Sequence, residues 1–306
     1  MQRNSRSQRW IRPLVLVGLC SLGATACNQA TAVQTREQRF QASDGTELHY
    51  SEVGVGPTIV FVPGWTMPGY IWKAQMQYFA ARFHAVALDP RAQGSSQRNV
   101  EINSTERRAR DINDLIEHLK SGPVVLVGWS LAVPEVLTYA EQFGGSGVRG
   151  YVLVDGFAWD KQDPQFVAGM LGVYKQLNTN RREFTESLVR KMFRKKQQES
   201  LLSGLVEGSM RVPEDSAIAS SVSAISRADW TPAIRKIDRP LMVACQLGMK
   251  EMAADLVQKL VPSVRTEFFE DAGHALFVDD ADRFNRVLDD FVAHLPAAAG
   301  TSVSQN

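Results

Sequence analysis

Cysteine is scarce in this chain of 306 residues: Cys20, Cys27 and Cys245 are the only three. No two of them have the spacing of a disulfide framework or of a zinc ligand pair. An excess of one charge is also missing, since 34 basic residues face 33 acidic ones for a net charge of +1. A general nucleic-acid binder needs a basic excess to neutralise phosphates, so that class is excluded. Long apolar runs are absent too. The run from Leu14 to Leu22 falls well short of the roughly 20 residues of a comfortable membrane span. What remains is ordinary globular composition, 44% hydrophobic and 22% charged, which rules out collagen-like, coiled-coil and wholly disordered chains. The length suits one large domain or two small ones.

The first residues have their own character. Arg3, Arg6, Arg9 and Arg12 occur with no acid among them, the short apolar run follows, and Gly23-Ala24-Thr25-Ala26-Cys27 closes the segment. A positive stretch, a short apolar stretch and small residues are the three parts of a bacterial secretory signal, expected here over residues 1–26. The small residues before Cys27 also resemble a lipobox, in which the cysteine becomes a lipidated first residue and attaches the protein to a membrane. Ala24 stands where such boxes usually have leucine, and Ala24-Thr25-Ala26 suits an ordinary signal peptidase as well. The expected location is the bacterial periplasm or the membrane surface facing it. Without residues 1–26 the chain loses four arginines and no acid, leaving 30 basic against 33 acidic residues.

Beyond a polar linker at 27–36, strands and helices alternate. Phe40 to Val53 reads as two strands around a turn at Asp44-Gly45. Thr58–Val62, Ala85–Leu88, Pro123–Val127, Tyr151–Val154, Leu241–Cys245 and Thr266–Phe269 read as further strands, mostly continuous apolar runs of the kind buried on both faces. Helical spacing marks 70–83, 105–120, 251–260 and 281–294. Such alternation predicts a mainly parallel sheet covered on both sides, over 37–155 and 230–296. Residues 156–229 break it, with amphipathic segments and no strand, and are expected to form a helical lid over the sheet's edge. Between Arg181 and Lys196 this segment carries seven basic residues against two acids, as a solvated helix face or a face for anionic headgroups. The Ala/Ser/Gly-rich end, 297–306, is expected to fray.

Gly128-Trp129-Ser130-Leu131-Ala132 comes straight after a predicted strand and straight before a predicted helix. That setting suits a nucleophile elbow, a turn so tight that small residues must flank the serine. It exposes the hydroxyl at a helix N-terminus, where the helix dipole favours a developing anion. A serine needs a base to take its proton. Of five histidines, His49, His84, His118 and His294 fall in strands or near helix ends and read as surface or core residues. His274 follows the last strand, on the edge where α/β sheets bind ligands, and is the expected base.

Together these pieces resemble the α/β-hydrolase superfamily over roughly residues 40 to 295. The matching motifs are Val62-Pro63-Gly64-Trp65, Asp89-Pro90-Arg91-Ala92-Gln93-Gly94-Ser95-Ser96, the Ser130 elbow, the lead from Asp229-Trp230 to Pro240-Leu241, and Ala272-Gly273-His274. The resemblance implies a mostly parallel eight-stranded sheet flanked by helices, with the lid inserted after the sixth strand. It places the oxyanion donors on the backbone of Trp65 and Leu131, although Pro63-Gly64 replaces the usual His-Gly. It puts the acid three residues beyond a glycine after the seventh strand, which in Gly248-Met249-Lys250-Glu251 is Glu251. Asp155, at the end of the sixth strand, is the alternative. Asp89 and Arg91 are expected to build a turn. The implied activity is hydrolysis of a carboxylic ester, or a related acyl bond, of a small and fairly apolar substrate through an acyl-enzyme on Ser130. Trp65, Trp129 and the apolar lid residues suggest an apolar pocket. No cofactor or metal is implied. The alternatives are cofactor-free perhydrolase or haloperoxidase-like activity, and a non-catalytic binding protein on the same fold.

Overall fold

The computed structural model describes residues 34–162 and 164–296. The expectations that fall on 1–33 and 297–306, including the signal segment, Cys20, Cys27 and the tail, lie outside the described residues. Of the expected linker, Arg36 already opens a strand.

β1 (Arg36–Gln41) and β2 (Glu47–Val53) pair antiparallel around the Asp44-Gly45 turn. β3 (Thr58–Val62), β4 (His84–Asp89), β5 (Val124–Trp129), β6 (Val148–Val154), β7 (Leu241–Gln246) and β8 (Arg265–Phe269) complete an eight-stranded sheet. The spatial order is β1-β2-β4-β3-β5-β6-β7-β8. Only β1 with β2 and β2 with β4 run antiparallel; from β4 through β8 every pairing is parallel. The apolar runs follow from cover on both faces. Along β5, Val124 and Leu126 face one core while Val125 and Val127 face the other.

α1 (Lys73–Phe79), α2 (Thr105–Leu119) and α3 (Ala132–Phe143) follow strands β3, β4 and β5. Ser104 caps α2, its hydroxyl accepting the Arg107 amide at 3.2 Å, a contact of a kind that contributes about 1 kcal/mol. α2 and α3 bury Ile112, Leu115, Val136 and Leu137 against one face. α1, a short α9 (Leu276–Asp279) and α10 (Ala281–Ala293) bury Phe79, Phe277, Phe284 and Leu288 against the other. Each such fully buried side chain contributes about 1.5–3 kcal/mol.

The segment 156–229 is helical, and its described residues hold no strand. α4 (Pro164–Lys191) is interrupted at Asn180, which leaves the helical region at φ −150° and ψ 57°. α5 (Glu199–Met210) and α6 (Glu214–Ser226) follow, and α7 (Thr231–Ile234) leads back to β7. After β7 a 3₁₀ turn and a π-helical turn (Glu251–Asp255) precede α8 (Leu256–Leu260), where a simple helix was expected over 251–260. Among the described residues no helix is long and apolar enough to cross a membrane.

Candidate active site

Ser130 sits between β5 and α3 at φ 58°, in the left-handed region that costs a residue with a side chain some strain. Its amide donates to Val154 O at 2.9 Å, and its carbonyl accepts from Val133 N at 3.0 Å. The tightness of the turn shows at Gly128, where a Cβ would lie 2.8 Å from Ala132 O and 2.6 Å from a Val136 methyl. Ala132 is wholly buried and accommodated.

Ser130, His274 and Asp155 form one hydrogen-bonded chain. Ser130 Oγ lies 2.8 Å from His274 Nε2, and His274 Nδ1 lies 2.7 Å from Asp155 Oδ2. A carboxylate only accepts, so Nδ1 carries the proton and Nε2 is left to accept from the serine hydroxyl. That arrangement can take a proton from the hydroxyl and stabilise the resulting cation.

The acid beside the histidine is therefore Asp155, not Glu251. Asp155 follows β6 directly, is fully buried and stands at φ 42°. It also accepts from the Gln246 amide at 2.8 Å and from Gln246 Nε2 at 3.1 Å. Gln246 thus ties the end of β7 to Asp155. Glu251 is carried away by the 3₁₀ turn at Leu247–Met249 and ends exposed at the start of the π-helical turn.

Ser130, His274 and Asp155 border a cavity of about 220 Å³, walled on the core side by Trp65, Leu131 and Phe157. The lid supplies Phe166, Met170, Val173, Phe184 and Leu188. Apart from Asp155 and His274, no described residue of this wall has an acidic or basic side chain.

Residues 57–281 match the model of a family described as α/β hydrolase fold. The chain belongs to the α/β-hydrolase family. It is an enzyme of that family, related to esterases and to haloperoxidases. It is 25% identical over 267 residues to a non-heme haloperoxidase of Rhodococcus erythropolis, spanning 82% of this chain and 97% of the relative. It is 24% identical over 269 residues to a bifunctional esterase/perhydrolase of Acinetobacter calcoaceticus, spanning 81% and 97%. Among solved structures, an esterase from Exiguobacterium antarcticum superposes with a TM-score of 0.76 at 22% identity, covering 84% of this chain and 99% of that one. A bromoperoxidase from Bacillus anthracis superposes with a TM-score of 0.76 at 19% identity, covering 84% and 100%. At these identities the two structures speak for the fold.

This α/β hydrolase holds its histidine loop from several sides. Trp129 does not line the cavity; its indole is buried, donates to His274 O at 2.9 Å and lies against the imidazole with ring centres 5.1 Å apart. Buried Asp279 accepts the Gly273 and Arg194 amides at 2.8 and 2.7 Å, tying that loop to the lid segment between α4 and α5. Sequence reasoning passed over Gln246 and Asp279, since only the fold brings them to the site. Asp89 and Arg91 form the expected turn: Asp89 accepts the Gly69 and Ser95 amides, and Arg91 pairs with Asp111 at 2.5 Å.

Trp65 and Leu131 line the cavity beside Ser130. Leu131 immediately precedes α3, where unpaired amides and the helix dipole favour an anion. Trp65 follows Gly64, which must be glycine because a Cβ there would meet Ser130 Cβ at 2.8 Å. The Trp65 indole donates to Ala217 O of α6 at 2.7 Å and Ser209 Oγ donates to Thr66 Oγ1 at 2.8 Å, so the same loop anchors the lid. Cys245 is free, and burial, with the Asp155 charge adding to it, pushes its thiol up to about 12. It is a packing residue.

Proposed function

We propose that this α/β hydrolase cleaves carboxylic esters of small, apolar acids through an acyl-enzyme on Ser130. The reading is carried by the continuous Ser130–His274–Asp155 hydrogen-bond chain opening into a cavity otherwise walled mostly by apolar side chains. Ser130 Oγ attacks the ester carbonyl carbon while His274 Nε2 takes its proton. The backbone amides of Trp65 and Leu131 hold the oxyanion. Collapse breaks the bond to the alcohol oxygen, which leaves with the proton from His274. Water then attacks the acyl-enzyme, giving one proton to His274, and the acid departs as Ser130 regains its hydrogen. Asp155 orients the imidazole and balances its charge throughout. A non-catalytic binder would have no use for this chain of three residues.

Perhydrolysis is a second outcome of the same acyl-enzyme, with hydrogen peroxide replacing water and a peracid leaving. The resemblance to a bifunctional esterase/perhydrolase supports keeping it. A panel of p-nitrophenyl esters from acetate to octanoate, with and without peroxide, tests both. Turnover of the short esters, lost in Ser130→Ala together with fluorophosphonate labelling, is expected. Undiminished turnover in that variant overturns the reading, and the share of product appearing as peracid measures the second activity.

A further inference from the structure

The Asp89–Ser96 motif contains one buried amide that neither the turn nor the Ser130–His274–Asp155 chain accounts for. Gln93 is 1% exposed and uses all four of its hydrogen-bonding capacities. Its Nε2 donates to Gly64 O at 3.1 Å and to Met67 O at 2.8 Å. Its Oε1 accepts from the Thr66 amide at 3.2 Å and from Arg108 Nη2 at 2.7 Å. Arg108 has only donors, so the atom facing it is the amide oxygen and the orientation of Gln93 follows. Arg108 is itself fixed by Glu135 at 2.8 Å and Asn103 at 2.7 Å. Glu135 lies on α3, the helix that starts behind Ser130.

The three groups that Gln93 binds on the loop surround Trp65. Gly64 to Met67 is a turn closed by Met67 N–H to Gly64 O at 3.1 Å. Within it the β-branched Thr66 adopts φ 60°, a conformation that needs outside support. The decisive bond is the one to Gly64 O. That carbonyl and the Trp65 N–H belong to one planar trans peptide, so they point in opposite directions. Fixing the oxygen toward Gln93 fixes the hydrogen away from it, and a hydrogen bond on the carbonyl also strengthens its amide as a donor.

We propose that Gln93 is a positioning residue that aims the Trp65 amide as an oxyanion donor, and that the Glu135–Arg108 pair holds Gln93 in register with the Ser130 helix. The proposal rests on the serine-hydrolase reading of the site. Its effect belongs to the transition state, where negative charge first appears on the substrate oxygen.

Gln93→Met keeps the length and removes all four bonds; Gln93→Glu keeps the shape and replaces the two N–H donors by an acceptor. Both are expected to lower kcat for a short p-nitrophenyl ester about 10- to 100-fold with KM changed less than about threefold. The inhibition constant of an apolar trifluoromethyl ketone, which forms a tetrahedral adduct on Ser130, rises by the factor that kcat/KM loses. Affinity for the matching alcohol, which forms no adduct, stays as in the wild type. Gln93→Asn keeps the amide one methylene short, gives an intermediate loss, and stands in if Gln93→Met does not fold. Wild-type kcat in the folded variants overturns the proposal, as does an equal loss of affinity for ketone and alcohol. A wild-type protein that forms no adduct and turns over no ester fails at the serine-hydrolase reading and overturns both. An active wild type matched by its Gln93 variants overturns this inference alone.

Discussion

Asp155 lies 119 positions from His274 in sequence, and this separation is why residue types alone misplace the acid. Ser130 is legible because its turn imposes local demands: an apolar strand, small neighbours, then a helix. His274 is legible because it follows the last strand. The acid faces no such local demand. Counting three residues past Gly248 leads to Glu251, yet Gly248 has open space around it and the chain there turns outward. What decides the matter is burial at the end of β6 and the two donors from Gln246. Asp155→Asn is therefore expected to lower kcat about 10³- to 10⁴-fold, by removing the charge that holds the imidazole's working tautomer. Glu251→Gln should leave kcat within about twofold. Steady-state kinetics on both variants checks the assignment, and the reverse ranking would overturn it.

The lid shows how much of an element a pattern can convey. Amphipathic spacing revealed helices between 156 and 229, but not the break at Asn180 or the neighbours of each face. Before the break α4 contributes Phe166, Met170 and Val173 to the cavity; after it come Phe184 and Leu188. The basic run from Arg181 to Lys196 is partly spoken for, since Arg182 pairs with Glu207, Arg190 with Glu199, and Arg181 donates to Ser209 and Val212 carbonyls. Exposed pairs of this kind add little stability, but they reduce the charge left for an anionic surface. Because Met170 touches the cavity from the lid, Met170→Ala should enlarge the acyl site. The ratio of kcat/KM for octanoate over butyrate ester is expected to rise about tenfold, within the 1–3 kcal/mol per methylene that apolar pockets discriminate. An unchanged chain-length profile would place the acyl group elsewhere.

At the scale of the whole molecule, the eight-stranded sheet was readable because strands buried on both faces announce themselves as apolar runs. The network around Gln93 was not, because it joins four separate segments through side chains that are unremarkable in isolation. Cysteine scarcity now has a physical reading: the described fold contains one free, buried thiol, so its stability comes from the core. We propose that residues 1–26 direct export and that Cys27 carries the lipid. Cells expressing the full chain should then retain the protein in the membrane fraction, while Cys27→Ala releases it to the soluble envelope fraction. Identical fractionation of the two would overturn the lipid anchor.

The central claim is that an acyl group passes through Ser130. Mass spectrometry of protein quenched milliseconds after mixing with a p-nitrophenyl ester tests it most directly. The predicted result is one acyl group on the peptide containing Ser130, in an amount matching the initial burst of nitrophenol, and none in Ser130→Ala. An acyl group on another residue, or steady turnover in Ser130→Ala at the wild-type rate, would contradict the account.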